Sequence, residues 1–317
     1  MGFITLLYTS DLHGSNLAFR KLLNAALTYK VHAVIIGGDI TGKAMVPIIR
    51  RGDSVYEGYL FGVKEVAHSL AELEALKDRI SNVGFYPLVV EPDEARALEA
   101  DSARREEAFL QLMLERIAQW VELAEQHLRP RGIQFYMMPG NDDVYDVDSV
   151  IASSDYVRNP DGRRFWLDDD HEIVGVGAAN MTPWACPRDL EEEELQERLE
   201  QVMQLLAHPS RAVCVFHCPP YNSQLDLAPE LDRDLRIVAH GGQVLLKPVG
   251  SKAVREIIER YQPLLALHGH IHESPGFRKI GRTLCVNPGS EYAEGILRAA
   301  LINLERDRVK GYMPIYA

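Results

Sequence analysis

Short apolar runs, each ending in a polar residue, alternate with stretches of helical spacing along much of this 317-residue chain. The run "FITLLYTS" leads into Asp11, and the following "NLAFRKLLNAALTY" carries apolar residues at helical intervals. "HAVIIGG" then leads into Asp39, which completes a strand–helix–strand unit. Such units favour parallel pairing of their strands within one sheet. The chain is therefore predicted to be an α/β protein.

The second half of the chain continues this pattern. Strands are predicted at "IQFYMMP", "HEIVGVGA", "RAVCVFH", "PLLALHG", "TLCVNPG" and "ILRAALINL". The middle differs, because it contains one predicted strand, "GFYPLVV", between helical stretches, the longest of which begins at "EPDEA". We therefore predict a single domain over residues 1–317 with a mainly helical insertion at about 43–130.

The composition excludes several classes of protein. The net charge of −12 argues against binding to long nucleic acid, although bound metal ions could still attract a phosphorylated substrate. The longest apolar runs are too short to span a bilayer, so no membrane association is expected. No basic region precedes the first apolar run, and Leu6 stands where a myristoylation signal needs Ser or Thr. A cytoplasmic location is the expectation.

The four cysteines contain no C-x-x-C pair; they are Cys186, Cys214, Cys218 and Cys285. All except Cys186 lie in or beside apolar runs, which predicts reduced structural thiols. A zinc site on Cys214 and Cys218 has little support, because the usual ligand spacing is missing.

Seven side chains that can bind metal ions follow the ends of five apolar runs: Asp11, His13, Asp39, Asn141, His217, His270 and His272. Open α/β sheets place functional groups at the carboxyl ends of their strands. In the D-x-H and H-x-H patterns, the first and third side chains of an extended chain point the same way, so both can face one cleft. Alone, each residue would be read as a turn, capping or hydrogen-bonded side chain. Together they indicate a site for ions such as Mn, Fe, Zn or Mg.

In order and spacing, "DLH", "GGD", "GND", the histidine of "VFHCPP" and "GHIH" resemble the metal-binding blocks of the calcineurin-like metallophosphoesterase superfamily. The resemblance covers about residues 3–41 and 133–303. Amidohydrolases carry their H-x-H near the N-terminus, and the H-x-H-x-D-H cluster of metallo-β-lactamases is absent. The resemblance implies a four-layer αββα sandwich of two mixed sheets, the metallo-dependent phosphatase fold, with its site at the strand ends.

The resemblance also implies a set of ligands for two divalent ions, of which Mn is favoured. One ion would take Asp11, His13 and His272, the other Asn141, His217 and His270, with Asp39 bridging them. A hydroxide between the ions would attack the phosphorus of a phosphoester. "NPGSE", residues 287–291, is expected to be a tight turn.

The residue after Asn141 departs from the family pattern. Many members have a histidine there, and this chain has Asp142. A carboxylate beside an anionic phosphate is unfavourable unless it is protonated or turned away. A subgroup of the superfamily also lacks this histidine, and its better-known members favour phosphodiesters. We therefore expect hydrolysis of small phosphodiesters rather than of monoesters.

A replacement general acid could come from the long segment between His217 and Ser251, since such loops are commonly functional. His240, which two glycines follow, is our candidate; the alternative is an ordinary surface histidine. Two other functions stay open at this point. One is a nuclease, and the other is a non-catalytic metal-binding scaffold that recruits a partner. The middle region could also mediate a homo-oligomer.

Overall fold

The computed structural model describes residues 3–317. Its α-helices, in chain order, are α1 (Asn16–Thr28), α2 (Leu70–Asn82), α3 (Pro92–Ala100), α4 (Ser102–Leu128), α5 (Val147–Ala152), α6 (Glu192–Gln204) and α7 (Lys252–Tyr261). Its strands are β1 (Ile4–Thr9), β2 (Ala33–Ile36), β3 (Met45–Arg50), β4 (Tyr56–Leu60), β5 (Val63–Ala67), β6 (Tyr86–Val90), β7 (Gln134–Met137), β8 (Val157–Arg158), β9 (Phe165–Trp166), β10 (Glu172–Val176), β11 (Ala179–Asn180), β12 (Asp189–Leu190), β13 (Val213–Phe216), β14 (Leu227–Pro229), β15 (Ala239–His240), β16 (Gln243–Val244), β17 (Leu246–Pro248), β18 (Leu265–Leu267), β19 (Gly276–Ile280), β20 (Thr283–Asn287), β21 (Arg298–Glu305) and β22 (Arg308–Tyr316).

Two six-stranded mixed sheets form the centre of the molecule. The first has the order β22-β21-β1-β2-β7-β8, and the second has the order β19-β20-β18-β13-β10-β9. In the first sheet β1, β2, β7 and β8 are parallel, whereas β21 and β22 are antiparallel to their neighbours. In the second sheet β10, β13, β18 and β20 are parallel and the two edge strands are antiparallel.

The alternation of side chains along the strands builds the layers, because successive residues point to opposite faces. In β1, Leu6 and Tyr8 pack between the two sheets, and Leu7 packs against the helices outside. Helices α1, α4 and α5 cover the outer face of the first sheet, and α6 and α7 cover that of the second. The predicted four-layer αββα sandwich is confirmed.

The region between β2 and β7 forms a separate small sheet beside this four-layer core. Its strands form a four-stranded sheet in the order β5-β4-β3-β6, with α2 packed against it. The predicted strand is β6, but β3, β4 and β5 were not predicted.

The predicted long helix is in fact two helices, α3 and α4, which meet at Asp101. The carboxylate of Asp101 caps α4, because it accepts a hydrogen bond from the backbone N–H of Arg104 (3.2 Å). The homo-oligomer through this region stays a prediction.

Helix α4 joins this region to the main fold. The ring of Trp120 stacks on Phe19 of α1 with centroids 4.4 Å apart, and its Nε1–H donates to Asn16 (2.8 Å). Arg116 is buried and donates to the backbone carbonyl of Gly14. The region is therefore anchored next to the segment that carries Asp11.

The four cysteines are free, and Cys214, Cys218 and Cys285 are buried, as expected of structural thiols. Among the described residues, no helix has the length and apolar character needed to cross a bilayer.

Candidate metal centre

The carboxyl ends of five strands, drawn from both sheets, meet at one place in the molecule. Strands β1, β2 and β7 are neighbours in the first sheet, and β13 and β18 are neighbours in the second. The predicted ligands follow these strand ends, and the structure brings all of them together: Asp11, His13, Asp39, Asn141, His217, His270 and His272. We call these seven residues the cluster.

One group within the cluster contains Asp11, His13 and His272. The Nε2 atom of His272 lies 3.3 Å from a carboxylate oxygen of Asp11 and 3.3 Å from Nε2 of His13. One potential ligand atom from each of the three residues lies within 4.8 Å of the others. They can therefore coordinate a single ion.

A second group contains Asn141, His217 and His270. The side-chain oxygen of Asn141 lies 3.1 Å from Nε2 of His217 and 2.9 Å from Nδ1 of His270. The side-chain nitrogen of Asn141 donates to Asp189 (2.8 Å), which turns the amide oxygen toward the two rings. The carboxylate of Asp189 therefore orients a candidate ligand.

Asp39 lies between the two groups. One of its carboxylate oxygens is 3.3 Å from Nε2 of His217, and the other is 3.7 Å from Nε2 of His13. Because each oxygen faces a different group, the carboxylate could serve as a ligand in both groups.

Backbone carbonyls fix the orientation of two histidine rings. Nδ1 of His13 lies 3.2 Å from the carbonyl of Thr41, and Nδ1 of His217 lies 3.0 Å from that of Gly37. A carbonyl only accepts, so Nδ1–H is the donor, and in the neutral ring the lone pair of Nε2 faces the cluster. This tautomer is the one that binds a metal ion through Nε2.

Strained backbone is concentrated in the cluster. Four of its residues have φ between 40° and 66°, the left-handed region: Asp11, His13, Asp39 and His270. Such conformations cost non-glycine residues about 1–3 kcal/mol each and persist where the surrounding structure enforces them. Gly140 is required for another reason, since a Cβ there would lie 2.2 Å from a carboxylate oxygen of Asp39. The geometry of the cluster is thus enforced at some cost in stability.

The charges of four groups in the cluster suit metal binding. Burial lowers the pKa of His13 and of His270 to about 4, so both rings are neutral at neutral pH. Burial would raise the pKa of Asp11, but the hydrogen bond with His272 and the charge of His217 hold it at about 2. Burial likewise opposes ionisation of Asp39, yet His217 holds the pKa of that carboxyl well below its ordinary value. Metal ligands must be deprotonated, and these four groups are.

His217 differs from His13 and His270 in the direction of its pKa shift. Burial opposes its charged form, but the carboxylates of Asp39 and Asp11 outweigh burial and raise the pKa of His217 to about 9. The ring is therefore protonated at neutral pH as long as no metal ion is bound beside it. Binding of an ion at Nε2 would release that proton, as is usual for a histidine ligand.

The donor set fits two divalent ions. Carboxylate, imidazole and amide oxygen together suit hard-to-borderline metals such as Mn, Fe, Zn or Mg. The two groups have separate imidazole donors and share a carboxylate, so each group could hold an ion. The residues of the cluster are therefore compatible with the pair of ions expected from the sequence.

Asp143 ties two segments of the cluster together, and it was not predicted as a site residue. Its buried carboxylate accepts from the backbone N–H groups of Gly140 (2.7 Å), Ile40 (3.0 Å) and Thr41 (2.8 Å), and from the hydroxyl of Thr41 (2.6 Å). The segments that carry Asp39 and Asn141 are therefore held in register by one side chain. An acid three residues after a glycine could equally be a turn residue, so sequence pattern alone does not reveal it.

The exposed edge of the cluster, which we call the rim, is formed by Lys43, Asp142 and Tyr292. Asp142, a predicted catalytic residue, lies 3.8 Å from Nδ1 of His13 and 3.2 Å from Nζ of Lys43. The ring of Tyr292 packs on His13 with centroids 4.8 Å apart. Lys43 and Tyr292 were not predicted; "GGDITGK", in which a lysine follows Asp39 by four residues, is the signal that could have indicated Lys43.

In "NPGSE", the backbone N–H of Gly289, which has φ 71°, donates to the side-chain oxygen of Asn287 (2.8 Å), and this contact closes the expected turn. It also contacts the cluster, because the hydroxyl of Ser290 donates to the backbone carbonyl of Asp11 (2.6 Å) and its N–H donates to that of His272 (3.3 Å). A cavity of about 420 Å³ opens beside His272 and is lined in part by Tyr292 and Arg298.

His240, the other predicted catalytic residue, belongs to the short hairpin of β15 and β16. It is exposed and pairs with Gln243 across the hairpin. Among the described residues, no hydrogen bond or ion pair links its ring to the cluster. The role of His240 as a general acid stays a prediction.

No protein-family model matches the chain. A stretch of 153 residues, 48% of the chain, is 35% identical to the uncharacterized protein MJ1162 of Methanocaldococcus jannaschii. The match spans 62% of the length of that protein.

Two solved structures share the fold over nearly their whole length. TT1561 of Thermus thermophilus is 14% identical and superposes with a TM-score of 0.53 over 96% of this chain and 100% of that one. A second crystal structure is 16% identical, with a TM-score of 0.54 over 98% of each chain. A novel archaeal phosphodiesterase is a looser likeness, 12% identical with a TM-score of 0.35 over 99% of this chain and 100% of that one. The first two likenesses establish the fold, and function has to be argued from the site.

Proposed function

We propose that the protein hydrolyses phosphoesters with two divalent metal ions held by the cluster. The observation that carries the proposal is the position of Asp39, whose two carboxylate oxygens face different groups of ligands. A cluster built for one ion, or for hydrogen bonding alone, would not need a carboxylate shared in this way. The sequence blocks that resemble the metallophosphoesterase superfamily supply the same residues.

The ions, when bound, would supply Lewis acid chemistry: they lower the pKa of a water molecule and neutralise charge on a phosphoryl group. The chain's own contribution is to hold the ligands in place. The rings of His13 and His217 are tethered to backbone carbonyls, and Asn141 is oriented by Asp189. Removal of a group that hydrogen-bonds to a metal ligand in this way typically lowers metal affinity or activity by about 10–100-fold.

Small phosphodiesters are the substrates we favour. A phosphomonoester carries roughly −1.5 to −2 charges at neutral pH, whereas a diester carries a single charge. Asp142 stands at the rim, where it would repel a dianion more strongly than a monoanion. The net charge of −12 counts against long nucleic acid.

The test combines metal analysis with two chromogenic esters. The protein would be loaded with Mn, the bound ions counted by mass spectrometry, and turnover of bis-p-nitrophenyl phosphate compared with that of p-nitrophenyl phosphate. We expect two ions per chain and faster turnover of the diester. Faster turnover of the monoester would contradict the substrate preference. Fewer than two ions at saturation would contradict the site.

A scaffold that recruits a partner is the second candidate. Exposed apolar side chains on the region between β2 and β7, among them Tyr59, Phe61 and Leu70, favour it. Two bound ions with no turnover of either ester would support the scaffold over the enzyme. Measurement of the mass in solution would test the predicted homo-oligomer in the same preparation.

A further inference from the structure

Asp142 has a cationic partner at the rim. Its N–H donates to a carboxylate oxygen of Asp39 (3.1 Å), which fixes the backbone beside the cluster. One oxygen of its own carboxylate lies 3.2 Å from Nζ of Lys43 and 3.8 Å from Nδ1 of His13. A positive charge therefore lies beside the carboxylate that repels an incoming phosphate.

Lys43 is free to make further contacts. Its side chain is 51% exposed, and its ammonium group has three N–H donors, of which Asp142 takes one. It lies four residues after Asp39, at the end of the loop that follows β2. The loop therefore places a carboxylate, Asp39, in the cluster and a cation, Lys43, at the rim.

A purely structural ion pair is the alternative. Exposed pairs between a lysine and a carboxylate contribute about 0–1 kcal/mol to folding, and many contribute nothing measurable. The pair of Lys64 with Glu57 shows what such a contact looks like here: Nζ lies 2.9 Å from the carboxylate, and the lysine side chain is 48% exposed. Lys43 resembles Lys64 in exposure and pairing, but differs from it in lying beside the cluster.

We propose that Lys43, positioned by Asp142, binds the phosphoryl oxygens of the substrate at the rim of the cluster. The two unused N–H donors would hydrogen-bond an anionic oxygen, a contact stronger than one between neutral groups. Asp142 is a positioning residue in this arrangement: its carboxylate holds the ammonium group over the cluster. The inference rests on the proposed function, because it takes the phosphoester as the ligand.

The experiment measures the affinity of inorganic phosphate for the Mn-loaded protein by calorimetry. The variants are Lys43→Gln, Lys43→Arg and the matched control Lys64→Gln. Loss of one hydrogen bond to a charged group predicts about tenfold weaker phosphate binding for Lys43→Gln. Lys43→Arg keeps the charge and should recover most of the affinity, whereas Lys64→Gln should match the wild type. All variants should retain two Mn ions.

Phosphate binding by Lys43→Gln within about twofold of the wild type would overturn the inference, since that difference is smaller than one charged hydrogen bond provides. So would an equal loss in Lys64→Gln, or no phosphate binding by the wild-type protein. Failure of the proposed function would give a different result: the wild type would bind fewer than two Mn ions or would turn over neither ester. Where turnover occurs, Lys43→Gln should also lower kcat/KM for the diester.

Discussion

The buried ligands of the cluster, which form its floor, and the rim above them are built in different ways. In the floor, Asp11, Asp39 and His217 are buried, and each is held by neighbouring backbone or side chains. At the rim, the side chains of Lys43 and Asp142 are 51% and 28% exposed, and they contact each other through an ion pair. The side chains of the floor are therefore held in place by several contacts, whereas the exposed side chains of the rim have room to move around a ligand.

This difference separates two tasks that the site has to perform. Metal ions need ligands placed accurately, and the floor achieves this with left-handed backbone and carbonyl tethers. A substrate needs groups that can adjust to its shape and then release the product, and long exposed side chains suit that purpose. Changes in the floor should therefore alter metal binding, and changes at the rim should alter substrate handling with the ions retained.

The largest effect is expected for Asp39→Asn. The substitution removes the charge that faces both His13 and His217, so at least one ion should be lost and metal affinity should fall by more than about 10²-fold, the loss seen for outer partners alone. Metal counting and turnover of the diester measure the result. The exposed Asp78→Asn is the control. Activity that survives with both ions bound would contradict the placement of Asp39 between the groups.

Asp143→Ala tests the buried carboxylate that supports the floor from behind. The change leaves three buried backbone N–H groups without a partner, at Gly140, Ile40 and Thr41, and each costs roughly 1–3 kcal/mol. We expect the free energy of unfolding in urea to fall by about 3 kcal/mol or more, together with weaker metal binding. Asp155→Ala, at an exposed ion pair, should change the stability little. Equal stability of the two variants would show that Asp143 does not hold the segments together.

Tyr292→Ala tests the boundary between floor and rim. The ring packs on His13 and also lies near His272, with centroids 6.1 Å apart, so its loss should loosen both imidazoles. We expect kcat/KM to fall by about tenfold with both ions retained, a loss typical of groups that orient a ligand. Tyr292→Phe keeps the ring and should retain the activity. A phenylalanine variant as weak as the alanine variant would assign the effect to the hydroxyl group instead.

The smallest effect is expected for His240→Ala. The residue is exposed, and within residues 3–317 no hydrogen bond or ion pair joins its ring to the cluster. Turnover of substrates with poor and good leaving groups should both stay within about twofold of the wild type, because surface changes away from special features are nearly neutral. A selective loss on poor leaving groups, with p-nitrophenyl esters spared, would instead identify His240 as the general acid.

The ligands of the floor could be predicted because their signal is local and repeated. Each follows an apolar strand, and parallel strands deliver their carboxyl ends to one edge of a sheet. Tyr292 could not be predicted in the same way, since its place at the rim depends on how distant segments pack. Lys43 has a local signal, because it follows Asp39 by four residues, but its pairing with Asp142 depends on the fold. His240 shows the opposite difficulty: a long loop with one histidine suggests a function, but nothing in the sequence says which way the loop folds.

The region between β2 and β7 was predicted in outline rather than in detail. The spacing of apolar residues in α4 was visible because one face of a long helix is buried, as at Ile117 and Trp120. Strands β4 and β5 show no such regular pattern, since both surfaces of that hairpin are partly exposed. The break between α3 and α4 depends on the capping contact of Asp101, and a single aspartate in a helical stretch rarely indicates an end.

The hydrogen bond from the N–H of His270 to Asp11 joins residues 259 positions apart in the chain. Strand β1, which leads to Asp11, also pairs with β21, so the first sheet is complete only when residues 298–305 have docked. Contacts of such long range are slow to form, because a large loop must close before they stabilise anything. The cluster should therefore be among the last parts of the protein to assemble during folding. Metal binding followed in real time would then report a late step of folding.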